Sequence, residues 1–267
     1  MVREKYKAYN ADHIEKIGGI FMSADRKGHT VLTQEDIMKI LDACYQKAIN
    51  GIKYVSPPIE TLAQNYLDKK VSKSDAAKYM ISNQIAKCTT SGFITGFGGL
   101  ITLPVTIPAN VGSVLYVQMR MIVCTAYLAG YDTDSDQVQT LVYACLAGVA
   151  VNEIIKKASI EFGEKIALNL IKKIPGATLV KINQKVGFRF LTKAGEKGLI
   201  NLGKLVPGVG AIISGGLDLI ETKAIGARAY KWFFEGDFSV DKKGDSKKDV
   251  VISDDMIDVK NFKEGKI

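Results

Sequence analysis

Residues 88–119 read CTTSGFITGFGGLITLPVTIPANVGSVLYVQM, thirty-two consecutive positions without a charged side chain. A membrane-spanning helix needs about 20 predominantly apolar residues, so the run is long enough to be one. Every window of that length inside it contains Pro104. Shifting the window toward residues 115–130 brings in Arg120, which at mid-bilayer would cost about 2.5–3.5 kcal/mol on insertion scales. The reading that needs no lipid is a helix buried on all sides by its own protein. A sharper one is a re-entrant or interfacial apolar hairpin at residues 92–107, with Gly96, Gly98, Gly99, Pro104 and Pro108 as its breaks. The heptad ITLPVTI at 101–107 has strand-like composition, but a proline at its centre argues for a break between helices.

A second glycine-rich stretch, LVPGVGAIISGG at 205–216, again precedes an apolar helical pattern. Glycine inside a helix costs about 1 kcal/mol relative to alanine. Close approach of two backbones is a reason to accept that, and Ala211 with Gly215 has small-xxx-small spacing.

Working outward, helix signals dominate. Thr33 with Asp36 forms a capping-box pattern ahead of Ile37, Ile40, Leu41, Cys44 and Ala48 on one face. Asn50-Gly51 closes that pattern as a helix end. Ser56-Pro57 reads as a helix start, followed by the stripe Ile59, Leu62, Ala63, Tyr66. Ser72 with Asp75 opens a helix carrying Ala77, Ile81, Ile85 and Cys88, and Thr133 with Asp136 opens one running through Leu141 and Gly148 to Ile155. Further helices are expected over 159–173, 180–193 and 212–234, with a short one around Ile14, Ile17 and Phe21. The expected fold is therefore all-α, a multi-helix bundle with Gly/Pro-broken apolar core helices and no substantial sheet. Residues 1–32 form an N-terminal segment, 33–234 one domain, and 235–267 a charged, flexible tail. In that tail 16 of 33 residues are Asp, Glu or Lys, too little apolar surface to offset ordering entropy.

Hydrophobic residues make up 47% and charged residues 24% of the chain, ordinary for a globular protein, so the distribution of charge is the informative quantity. Between Lys156 and Lys204 eleven basic residues face three acids, a surplus equal to the net charge of +8 of the whole protein. Within this region Lys181, Lys185, Arg189, Lys193 and Lys197 are each four apart. On a continuous helix they form a slowly wrapping band, with Ile182, Val186, Phe190 and Leu191 nearer the other side. Such a band suits an anionic membrane surface, at roughly 1 kcal/mol per charge near the headgroups. Nucleic acid would also be attracted, but Phe188 and Phe190 are the only interleaved aromatics, so it is not the expected partner.

Catalytic signatures are missing. The two histidines, His13 and His29, lie in polar N-terminal sequence, which argues against a histidine base or a multi-histidine metal site. GLINLGK at 198–204 fits GxxxxGK, but Leu205 follows where a phosphate loop needs Ser or Thr. Gly208-Val209-Gly210 starts a GxGxxG and fails at Ile213; no GxSxG is present. Asp132, Asp134 and Asp136 alternate in one loop, yet the glycine and distal glutamate of a calcium loop are absent, and capping explains them better. No catalytic residue, cofactor or metal is assigned. Cys44, Cys88, Cys124 and Cys145 contain no CxxC pair, and three sit in apolar helical patterns, as in a reducing compartment. The polar stretch MVREKYKAYNADH lacks an apolar core segment, so no secretory signal is expected.

Ile107-Pro108-Ala109-Asn110, then Gln118-Met119-Arg120, then Ala129-Gly130-Tyr131-Asp132, resembles the EcsC family. There a proline-rich entry leads into a helix with a Gln/Arg pair that ends at Gly-x-Asp. Pro207-Gly208-Val209-Gly210-Ala211 through Gly215-Gly216, followed by Thr222, Ile225-Gly226 and Ala229-Tyr230, resembles that family's C-terminal segment. The resemblance spans roughly residues 75 to 235; Asn110 stands where the family pattern has an acidic residue. It implies a bacterial helical protein with hydrophobic, membrane-prone helices, in a family named for members encoded beside an ABC transporter. It brings no established catalytic activity.

The expected function is a non-catalytic adaptor or regulator associated with the membrane, linked to transport or the envelope. Its expected location is the cytoplasm, at the cytoplasmic face of the membrane, with an unidentified protein partner. The alternatives are a soluble helical interaction module whose glycine-rich segments are core only, and, with least support, an enzyme acting on lipids.

Overall fold

The computed structural model describes residues 33–89, 109–153, 171–194 and 217–240. The expected N-terminal helix, the hairpin at 92–107, most of the 159–173 helix, the glycine-rich 205–216 stretch and residues 241–267 lie outside the described residues. Among the described residues the fold is all-α: seven helices and no strand.

Helix α1, Gln34–Asn50, begins at the capping box, with Thr33 Oγ1 accepting from the Asp36 amide at 3.1 Å and Asp36 Oδ2 accepting from the Thr33 amide at 3.0 Å. It stops at Gly51, whose φ of +74° a side chain would strain. A Cβ there would also collide with the Ser56 and Pro57 backbone.

Helix α2, Ile59–Leu67, starts later than the sequence suggests. Both prolines precede it, and Pro58 provides no side-chain cap. Ser56 is engaged elsewhere: its hydroxyl pairs with the Tyr116 hydroxyl at 2.5 Å and accepts from the Ile52 amide at 3.2 Å. Helix α3, Lys73–Thr89, opens as expected at Ser72, which accepts from the Asp75 amide at 3.0 Å.

Helix α4, Ala109–Leu128, is central among the described helices: it packs against α1, α2 and α3 and against the later helices Asp136–Ala147 and Leu217–Glu235. Every residue from position 112 to 126 is buried, so the second part of the uncharged run is core on all sides. The helix closes at Gly130, where the Tyr131 amide reaches Ala126 O at 3.0 Å and the Gly130 amide reaches Tyr127 O at 2.9 Å, a Schellman end.

Helix α5, Asp136–Ala147, corrects two expectations. Its N-cap is Ser135 rather than Thr133. Asp132 folds the preceding turn by accepting the Asp134 amide on its carboxylate and the Ser135 hydroxyl on its carbonyl, while Thr133 turns inward and its carbonyl accepts from Tyr45. The helix ends at Gly148, not at Ile155, because Gly148 adopts φ +66° and the Val149 amide turns back to Ala144 O at 2.8 Å.

Helix α6, Gly176–Ala194, lies outside, packed on α5 and α1. Gly187 lies inside it. A Cβ at Gly187 would strike the Gln34 side chain, so glycine lets the start of α1 approach, and Gln34 Nε2 donates to Gln184 O at 2.8 Å. Helix α7, Leu217–Glu235, packs on α3, α4 and α5. Gly226 is its contact point, since an added Cβ would stand 2.6 Å from Ile81 Cγ2.

The chain does not leave the body where the charged tail was expected to start. Phe238 is completely buried against Trp232 and Phe233, and Trp232 Nε1 donates to Ser239 O at 2.8 Å.

Candidate functional site

Two groups of polar residues singled out by the sequence occupy different places. One is in the core. Gln118 is fully buried and donates from Nε2 to Thr222 Oγ1 on α7 at 3.0 Å. Two segments that carry the family resemblance, far apart in sequence, thus meet directly.

Arg120, 3% exposed, reaches the opposite way. Its Nη1 donates to Ala48 O at 2.9 Å and to the Tyr116 hydroxyl at 3.4 Å, and its Nη2 donates to Pro57 O. Ala48 O lies in the last turn of α1, where the helix dipole favours a cation. Burial, and then the neighbouring Arg120 charge, pushes the half-buried Lys87 ammonium below its ordinary range. Arg120 therefore fastens α1 and the loop before α2 to the central helix. Asp132 sits at the far end of α4 and shapes the turn into α5. Asn110 falls in the first turn of α4, and its side chain is outside the described residues.

The other group is on the surface. Lys181 and Lys185 are exposed on the outward side of α6, and Ile182, Val186 and Phe190 are buried on the inward side, as the four-residue spacing requires. Arg189 is exposed too, but its guanidinium lies beside Gly148, with Nη2 3.5 Å from where a Cβ would stand. Arg228 of α7 converges on the same point, its Nη1 at 3.4 Å, and donates to Cys145 O at 2.8 Å. These two cations complement the carbonyl end of α5. Arg228 is invisible to a sequence reading, since its partner is a main-chain atom 83 positions away. Lys193 belongs to α6 with its side chain undescribed, and Lys197 lies outside the described residues, as do Gly96, Gly98, Gly99, Pro104 and Pro108.

Described residues 171–194 contain Lys172, Lys173, Lys181, Lys185, Arg189 and Lys193 and no Asp or Glu. At the end of α1 that meets α6, Glu35 is engaged by Lys39 at 2.6 Å and Asp36 by the Thr33 cap. The outer side of α6 is thus a cationic face without an acid of its own. Phe188 is the residue here whose position the sequence left undetermined: it stays 66% exposed while Phe190 is buried. The signal was its spacing, three after Lys185 and seven after Lys181.

No helix among the described residues is long and apolar enough to cross a membrane. Among the same residues no group of three or more His, Cys, Asp or Glu is placed to hold a metal ion. A family model described as the EcsC protein family matches residues 5–233. No curated protein matches the chain, and no solved structure does.

Proposed function

The chain belongs to the EcsC protein family, and on that premise we propose that it is a non-catalytic adaptor or regulator that docks peripherally on an anionic membrane surface. The observation that supports this reading is the exposed cationic side of α6, with Lys181 and Lys185 at its centre and, in the described residues 171–194, no acid of its own. Its inner side is already committed to α5 and α1, so the helix can offer lipid its charged side without unfolding. The attraction is Coulombic and therefore screened, with a Debye length of about 10 Å in 0.1 M salt. The reading carries with it a location at the cytoplasmic face and an as yet unidentified protein partner.

Flotation of the purified chain tests it, with vesicles of phosphatidylcholine alone and of equal parts phosphatidylcholine and phosphatidylglycerol. We expect flotation only with the anionic vesicles, weakened by salt. Lys181→Gln with Lys185→Gln should remove about 2 kcal/mol, roughly thirty-fold in partitioning. A double variant that floats as well as the parent would sink the reading.

A second reading, a soluble helical interaction module, is favoured by one observation. The part of the uncharged run that lies in α4 is protein core rather than lipid-facing surface. Absence of flotation under all conditions would select it.

A further inference from the structure

The outer side of α6 is not uniformly polar. At about 100° per residue, Phe188 shares the azimuth of Lys181 and stands between those of Gln184 and Lys185. All four are exposed, and Lys172 and Lys173 are exposed just before the helix. A single exposed apolar side chain needs no explanation in itself. This one lies at the middle of a face that also carries Lys181 and Lys185, where the helix could bury an aromatic ring inward and does so with Phe190.

We propose that Phe188 is a bilayer anchor: when α6 settles on anionic headgroups, its ring enters the headgroup–acyl boundary while Lys181 and Lys185 stay at the phosphates. This rests on the docking reading above and specifies its depth. The geometry suits lipid, because lysine stems lie along apolar surface and keep their ammonium groups in the polar layer. Interfacial apolar groups sit about 5–10 Å into the headgroup–acyl boundary. A single-stranded nucleic acid would instead use several aromatics on which successive bases stack, and this face has one.

The test uses the full chain with Phe188→Cys labelled by an environment-sensitive NBD dye. The four native cysteines are all buried. Burial pushes the thiols of Cys44 and Cys124 up to about 12, so labelling at mild pH is directed to position 188. With the phosphatidylglycerol vesicles, NBD emission should rise several-fold, shift to the blue, and be quenched by acyl-chain doxyl lipid. Phe188→Ala, at an exposed site that leaves the fold intact, should float roughly ten-fold less well with unchanged salt dependence. Flotation of the labelled chain with no spectral change, or unchanged flotation of Phe188→Ala, overturns the anchor and leaves electrostatic docking standing. If the unmodified chain does not float, docking and anchor both fall. A spectral response to a single-stranded oligonucleotide in place of the vesicles would also overturn the anchor.

Discussion

At position 120 a guanidinium is held away from water by main-chain oxygens. Removing such a group from water costs several kcal/mol in a real protein, and the hydrogen bonds from Nη1 and Nη2 to Ala48 O, Pro57 O and Tyr116 offset it. Both carbonyls take hydrogen bonds from this one guanidinium, so the position should tolerate little. Arg120→Met leaves two buried acceptors unmet, at about 1–3 kcal/mol each. We expect a loss of roughly 2–5 kcal/mol in urea unfolding, with Arg120→Lys intermediate because an ammonium lacks the fork that spans both oxygens. A Met variant with parental stability would show that the carbonyls find water. That Gln118 and Arg120 are polar in an apolar helix is plain from their neighbours. Their partners, Thr222 and the Ala48 and Pro57 carbonyls, are 104, 72 and 63 positions away and leave no local trace.

Among the elements, α7 shows best how a glycine sets a helix contact. Alanine at Gly226 would gain about 1 kcal/mol in helix propensity. Its Cβ would meet Ile81 Cγ2 at 2.6 Å and Met121 Sδ at 3.4 Å, and Ile81 is itself fully buried. Overpacking of this kind costs about 1–3 kcal/mol, so the clash outweighs propensity and Gly226→Ala should be destabilising. Combining it with Ile81→Ala should cost less than the two single losses added together, as a double-mutant cycle would show. Helix ends follow the same division. Thr33 and Ser72 cap through partners within three residues, and both starts are legible. Thr133 looks like a cap as good as Ser135 until Tyr45, 88 positions away, takes its carbonyl. The end of α5 was overrun because Gly148 sits in an apolar pattern that continues past it, and only its left-handed conformation marks the stop.

For the molecule as a whole, the buried acidic groups give a pH dependence. Burial pushes Cys44 and Cys124 from an ordinary value of 9.0 up to about 12, and burial also raises the Tyr131 hydroxyl from 10.0 to about 12. Tyr45, Tyr66 and Tyr143 are raised as well, with burial the largest cause. Folded values above unfolded ones mean that this stability is complete below the unfolded value and is lost as pH rises toward the folded one. Urea midpoints should therefore hold to about pH 9 and fall between pH 9 and 12, by up to about 1.4 kcal/mol per pH unit for each thiol. A midpoint that is flat across that window would mean the thiols are accessible in the folded chain. The family match begins at residue 5, so the family region takes in α1 and α2 as well as the segments whose motifs carry the resemblance.

The class of the fold, the capped starts of α1 and α3, the glycine end of α1 and the polarity of α6 were all written locally. They depend on interactions within about one helical turn, or on a periodicity that needs no partner. Which helix would be central, and whether Gly148, Gly187 and Gly226 were stops or contacts, were decided by packing. Residues 112–126 could have been a lipid-facing segment by composition. They became the core because α1, α2, α3, α5 and α7 surround them, and burial is a property of neighbours that a linear chain brings together only when it folds.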